Sequence, residues 1–160
     1  MNFDNGKTII NLRIKLFFAT ILVIAWLIIV YAAKLVKFPL LGMSDTAWTL
    51  ILLGLYLLNA ILPMARNVQY VSFSDEGDHL VFKYFFAGMI GGKKNSILIN
   101  KRTFSGYKYE TKYLGFLRSV TLFQKIGQGV AKYPPVHITA LNKDQREKLF
   151  SWLNQYIPKG

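Results

Sequence analysis

Cysteine is absent from the 160-residue chain, which excludes disulfides, thiolate metal sites and a cysteine nucleophile. Acidic residues are scarce: 8 Asp and Glu stand against 20 Lys and Arg, for a formal net charge of +12. A positive charge of this size favours an anionic partner, and either a membrane leaflet or a nucleic acid meets that requirement.

Motifs for catalysis or metal binding are also lacking. Neither His79 nor His137 has the spacing of a metal ligand, and both are expected to be strand histidines. The acidic run at 75–78 is too short for a calcium-binding EF-hand and predicts a solvated turn. Residues 87–94 nearly match a phosphate-binding loop, but Lys94 replaces the required Ser or Thr and a strand-like segment follows. We therefore expect a hairpin loop there, no cofactor, no metal and no enzymatic activity.

Charge is missing from two long apolar stretches, residues 16–33 and 46–65. A helix of 18 residues is about 27 Å long, close to the roughly 30 Å of a bilayer's hydrocarbon core. Ser44 and Asp45 precede the second stretch and suit a helix N-cap. The pattern predicts two transmembrane helices within a membrane anchor at residues 1–66.

Two other interpretations of these stretches are weaker. A cleaved signal peptide usually has an apolar run of about 7–15 residues. The first stretch is longer, contains the bulky Trp26 and is followed at once by a second stretch. A pair of buried helices in a soluble protein would be expected to show a polar face, and neither stretch has one.

Two spans place both termini on one side of a membrane. The excess of basic residues predicts that this side is the cytoplasm, with the loop at residues 34–45 outside. The cytoplasmic flanks carry Lys7, Arg13, Lys15 and Arg66, against Lys34 and Lys37 in the loop. Within the second span, Asn59 is expected to support helix–helix packing, bonding to a residue such as Thr20 or to a partner helix.

After Arg66 the apolar periodicity changes from helical to alternating, which predicts a cytoplasmic, strand-rich domain at residues 67–160. A hairpin is expected around residues 75–78. The rings of Tyr107, Tyr109 and Tyr113 are expected to face the core, because charged residues alternate with them. Asn142 and Gln145 have the spacing of a capping box and predict the start of a C-terminal amphipathic helix.

This order of a hairpin, several short strands and a terminal helix resembles the pleckstrin-homology-like (PH-like) domain of small bacterial membrane proteins with a two-helix anchor. The resemblance implies an α+β fold: an N-terminal transmembrane hairpin, an antiparallel PH-like partial barrel and a C-terminal helix. It also implies a bacterial inner membrane. Lipid-binding PH domains carry basic residues in their first hairpin loop. Here that loop, residues 75–78, is acidic, so inositol phosphates are not expected to bind there.

Basic residues concentrate between Gly77 and Lys132, where ten of them oppose two acidic residues. Aromatic residues interleave with them, a combination found on nucleic-acid-binding surfaces and on domains held against anionic lipid. A solvated basic face over an aromatic core is the third interpretation. Because an anchor precedes the domain, we favour the anionic leaflet over nucleic acid. The residues expected to face lipid are Lys93, Lys94, Lys101 and Arg102.

The sequence therefore predicts a membrane-anchored interaction or scaffold module. Its expected role is that of a non-catalytic subunit of an envelope assembly, with other membrane proteins and anionic lipid as partners. A homo-oligomer is left open. The alternatives are an accessory subunit of a transporter or membrane enzyme, and a membrane-tethered nucleic-acid-binding domain.

Overall fold

The computed structural model describes residues 2–87 and 93–158, except for the side chain of Glu76. Most of the glycine-rich segment predicted as a hairpin loop lies outside the described residues. The chain divides into two compact units. A helical unit comprises residues 10–65, and a β-rich unit combines the N-terminal residues up to Ile9 with the chain from Arg66 onward.

The helical unit contains two long apolar helices. The first, α1, is Gly6–Leu27 and continues as a π-helical segment at Ile28–Ala32; the second, α2, is Asp45–Ala65. Both are long and apolar enough to cross a membrane, with mean hydropathies of 2.5 and 1.8. The N-cap prediction for α2 is confirmed, because the backbone N–H of Ala47 donates to Ser44 Oγ at 3.2 Å.

The first sheet of the β-rich unit is antiparallel and has the order β1-β2-β3-β4. These strands are Asn2–Asp4, Gln69–Glu76, His79–Phe86 and Asn95–Asn100. The predicted hairpin is confirmed, since β2 and β3 are joined by a tight turn at Gly77, whose φ of 53° favours glycine. The strand β1 was not predicted from the sequence.

The second sheet is also antiparallel and is centred on β6, which pairs with β5, β7 and β8. These strands are β5 at Phe104–Lys112, β6 at Leu117–Ile126, β7 at Gly129–Lys132 and β8 at Val136–His137. Across the described residues the two sheets do not close into a barrel. The predicted α+β class with antiparallel sheets is thus confirmed.

The C-terminal helix α3, Lys143–Gln155, begins as the sequence predicts. Asn142 Oδ1 accepts from the backbone N–H of Gln145 at 2.8 Å, and Gln145 Oε1 accepts from that of Asn142 at 3.0 Å. The reciprocal pair satisfies two helix-end donors. One face of α3 then enters the core, where the Trp152 ring lies edge-on to Phe73 with centroids 4.0 Å apart.

One core joins both sheets to α3, so the β-rich unit folds around a single hydrophobic centre. Its fully buried side chains include Phe73, Leu80, Phe82, Ile99, Leu122, Leu149 and Leu153. Removing a buried ring of this kind typically costs about 3–5 kcal/mol, because a cavity remains.

The tyrosine prediction is only partly right. Tyr107 packs against the core and stacks on Phe150 at 5.4 Å, and Tyr109 meets the same ring at 5.1 Å while remaining 41% exposed. Tyr113 is 75% exposed, so its predicted place inside is wrong. The reason is that β5 ends at Lys112 and the alternation ends with it, because Tyr113 turns to a φ of 51°.

The N-terminal residues belong to the β-rich unit because Asn5 ties them to β2. The side chain of Asn5 is fully buried; Nδ2 donates to the Gln69 carbonyl at 2.9 Å and Oδ1 accepts from the Val71 N–H at 2.8 Å. Pairing with β1 also covers one edge of β2, which would otherwise expose unpaired backbone groups. The predicted membrane anchor, in contrast, comprised all of residues 1–66, including the N-terminal residues.

We expect Asn5→Ala to destabilise the β-rich unit. The substitution leaves the Gln69 carbonyl and the Val71 N–H without these side-chain bonds, at a cost of about 1–3 kcal/mol for each buried polar group. Thermal unfolding of the full chain in detergent should show a Tm lower by several degrees. Asn2→Ala, at an exposed position of β1, is the matched control. Equal Tm values for the two variants would contradict the anchoring role.

Candidate functional site

The strand register gives the first sheet two distinct ends. Gln69, the first residue of β2, follows shortly after Arg66 and lies opposite Phe86 at the end of β3. The start of β4 at Asn95 lies at the same end. We call this the helix-proximal end, because Arg66 directly follows α2. The opposite, distal end carries the β2–β3 turn and the end of β4 at Asn100.

The four basic residues predicted to face lipid are divided between these ends. Lys93 and Lys94 are exposed and directly precede β4, whereas Lys101 and Arg102 follow it. At roughly 3.3 Å per residue, the 6 residues of β4 separate the pairs by about 20 Å. That distance exceeds twice the Debye length of about 8 Å at physiological salt. A charged surface at one end of the domain would therefore act mainly on one pair.

Lys101 is engaged within the distal end. Its ammonium forms an ion pair with Asp75, donates to the Gly77 carbonyl and lies 5.5 Å from the centroid of the Tyr156 ring. The Tyr156 hydroxyl in turn donates to Asp75 Oδ2 at 2.7 Å. The bond from Lys101, followed by that from Tyr156, holds the pKa of Asp75 below its ordinary value. This cluster joins the end of β2, the β4–β5 turn and the end of α3.

The helix-proximal end also carries an open depression of about 400 Å³. The rings of Tyr70 and Phe85 stack in its wall with centroids 4.7 Å apart, and Lys83 and Lys94 also line it. Among its described lining residues there is no carboxylate or histidine. The depression offers cations and aromatic surface, which suits contact with an anionic group better than acid–base chemistry.

Among the described residues of the β-rich unit, the most exposed apolar segment is the turn between β5 and β6, which we call the apolar tip and define as residues 113–116. Leu114 is fully exposed, Tyr113 is 75% exposed and Phe116 is 41% exposed. Tyr113 and Leu114 both have a left-handed φ, of 51° and 52°, which costs a non-glycine residue about 1–2 kcal/mol. Sequence reasoning missed this feature, because it assigned Tyr113 to the core.

The histidines show no sign of a metal centre. His79 begins β3, and His137 lies in β8, where its backbone N–H donates to Gln69 Oε1 at 2.9 Å. Burial lowers the pKa of His137 below its ordinary value, which favours the neutral ring at pH 7. Within residues 2–87 and 93–158, no group of three His, Asp or Glu side chains lies close enough to hold a metal ion.

In the helical unit, polar contacts join the helices through other residues than Asn59. The hydroxyls of Thr20 and Tyr56 lie 3.1 Å apart, and Trp26 Nε1 donates to Thr49 Oγ1 at 3.1 Å. The exposed Asn59 side chain donates to the Leu55 carbonyl of its own helix at 3.0 Å. Packing of Asn59 against a partner helix stays a prediction.

Comparison with family models, curated proteins and solved structures finds no match for this chain.

We expect Lys101→Gln to lower the Tm of the full chain more than Arg102→Gln. Both substitutions remove one charge from the same turn, and Lys101 is the residue of the two that bonds to Asp75 and Gly77 in the described structure. The pKa of Asp75 is lower in the folded protein than its ordinary value of 3.8. The stabilisation from ionised Asp75 is therefore complete above pH 3.8 and is lost as the pH falls through the pKa of Asp75 in the folded protein. The Tm difference between Lys101→Gln and the unsubstituted chain should therefore narrow at acidic pH. A difference independent of pH would contradict this account.

Proposed function

We propose that this protein is a membrane-anchored interaction module, a non-catalytic subunit of an envelope assembly. The observation that carries the proposal is that a pair of long apolar helices begins and ends in one β-rich unit. The chain leaves that unit near Ile9 and returns to it at Arg66. An anchor of this form holds a folded domain at a membrane surface by two covalent connections.

The dimensions and surfaces of the helices support membrane insertion. The segments Gly6–Ala32 and Asp45–Ala65 have 27 and 21 residues, and at about 1.5 Å per residue even the shorter is about 32 Å long. Only 6% of the most apolar 18-residue window of each helix is buried within the chain. Large side chains such as Phe17, Leu22, Leu50 and Leu58 are exposed to the surroundings, for which lipid is the compatible solvent.

The same connectivity supports a two-span topology. Residues 2–9 and 66–158 fold together, which supports placing both ends of the helical pair on the same side of a bilayer and the intervening loop on the other. The basic character of the β-rich unit favours the cytoplasm for the termini. The resemblance to PH-like bacterial membrane proteins favours the inner membrane, and two antiparallel sheets with a C-terminal helix are compatible with that resemblance.

Anionic lipid is the partner that the charge distribution favours near the anchor. Lys93 and Lys94 are exposed at the helix-proximal end, where the covalent connection to α2 keeps them close to the proposed bilayer. Each basic residue near an anionic surface contributes about 1 kcal/mol to attraction. Lys101 and Arg102 lie at the distal end. Lys101 is already paired with Asp75, so Arg102 is the residue of the two that is better placed to contact a protein partner.

Labelling of single cysteines tests the topology, since the natural chain contains none. Lys37→Cys lies in the exposed loop between the helices and Lys148→Cys on the exposed face of α3. In intact cells an impermeant maleimide should modify only the first, and both should react after the membrane is opened. The reverse pattern would overturn the orientation, and labelling of both in intact cells would overturn the two-span anchor.

Purification from native membranes tests the interaction role. After mild crosslinking, the full chain should copurify with one or more membrane proteins at a constant ratio that survives a high-salt wash. The matched control is the Asn5→Ala chain, which keeps both apolar helices but weakens the β-rich unit. A module that acts through that unit should lose its partner in this variant. Turnover of a substrate by the purified chain alone would contradict a non-catalytic role.

A further inference from the structure

We infer that the apolar tip, residues 113–116, inserts into the headgroup layer of the same bilayer that α1 and α2 cross. This inference rests on the proposed membrane anchoring and adds a third point of contact to it. The tip would act as a wedge that fixes how the β-rich unit stands on the membrane surface, beyond the two covalent connections.

The tip lies beside Arg66. The Arg66 guanidinium carbon lies 5.2 Å from the centroid of the Phe116 ring, within the β-rich unit. Arg66 directly follows Ala65, the last residue of α2. The tip is thus held within one side chain's length of the residue at which the chain passes into the apolar helix. In a protein anchored by α2, that residue lies at the membrane–water interface.

The chemistry of the tip suits that interface. Aromatic side chains such as Tyr113 and Phe116 collect at the level of lipid headgroups, and an exposed leucine gains by entering the acyl boundary. Lys112 and Arg118 flank the tip on its two strands. Together with Arg66, which contacts Phe116, they give the neighbourhood of the tip three basic residues that could pair with lipid phosphates in a bilayer.

A second exposed apolar pair in the same sheet makes the inference specific. Ile126 and Val130, at the β6–β7 hairpin, are 60% and 59% exposed, which is comparable to the tip. They lie at the other end of β6, whose 10 residues span up to about 33 Å at roughly 3.3 Å per residue. Exposure alone predicts equal lipid contact for both hairpins, whereas the contact of Phe116 with Arg66 predicts it for the tip alone.

The test uses the full chain in liposomes, with a polarity-sensitive fluorophore on one introduced cysteine. Leu114→Cys reports on the tip, Gln128→Cys on the opposite hairpin, and Leu58→Cys on the middle of α2. Quenching is measured with lipids spin-labelled near the headgroup, with lipids labelled deep in the acyl chain, and with aqueous iodide. We expect the Leu114 probe to be quenched by the shallow lipid label, the Leu58 probe by the deep label, and the Gln128 probe only by iodide.

The outcomes separate this inference from the anchoring on which it rests. A Leu58 probe quenched by iodide and by neither lipid label would refute the anchor itself. If the Leu58 probe is quenched by the deep lipid label but iodide quenches the Leu114 probe as strongly as the Gln128 probe, the membrane anchor is supported and insertion of the tip is refuted. Protection of the Leu114 probe from both iodide and lipid would also overturn it, in favour of a protein that covers the tip.

Discussion

The buried side chain of Asn5 is the contact on which the arrangement of the chain depends. By bonding to the Gln69 carbonyl and the Val71 N–H, it fastens the segment before α1 to the strand that follows α2. The helical pair therefore starts from and returns to one folded unit. Without this contact and the neighbouring β1–β2 pairing, the first helix would be tethered to the β-rich unit only through the second, and the edge of β2 would be open.

The two ends of the β-rich unit differ in the groups that they carry. One end carries the connection to α2, the exposed Lys93 and Lys94, the aromatic depression and the apolar tip. The other carries the cluster of Asp75, Lys101 and Tyr156, which ties strands to α3. Lys93 and Lys94 are thus exposed at one end, whereas Lys101 is paired with a carboxylate at the other. Exposed basic side chains near the anchor suit attraction to an anionic surface.

Much of the fold could be predicted because its signals are local. The two apolar stretches are long and contain no charged residue, and the β2–β3 turn contains a glycine with a positive φ. Asn142 and Gln145 cap α3 by bonding to each other's backbone N–H groups. The strand β1 could not be predicted in this way. Three residues, Asn2–Asp4, carry no periodic pattern, and their partner β2 lies more than sixty residues away in the chain.

The candidate site shows the same limit. The sequence by itself determined the charge, the apolar helices and the class of the fold, since each depends on composition or on spacing within one element. Only the tertiary structure decided that Lys101 is paired with Asp75, that Lys93 and Lys101 lie at opposite ends of β4, and that Phe116 meets Arg66. Those facts depend on register and on long-range pairing, in which distant residues meet and neighbouring ones are separated by the length of a strand.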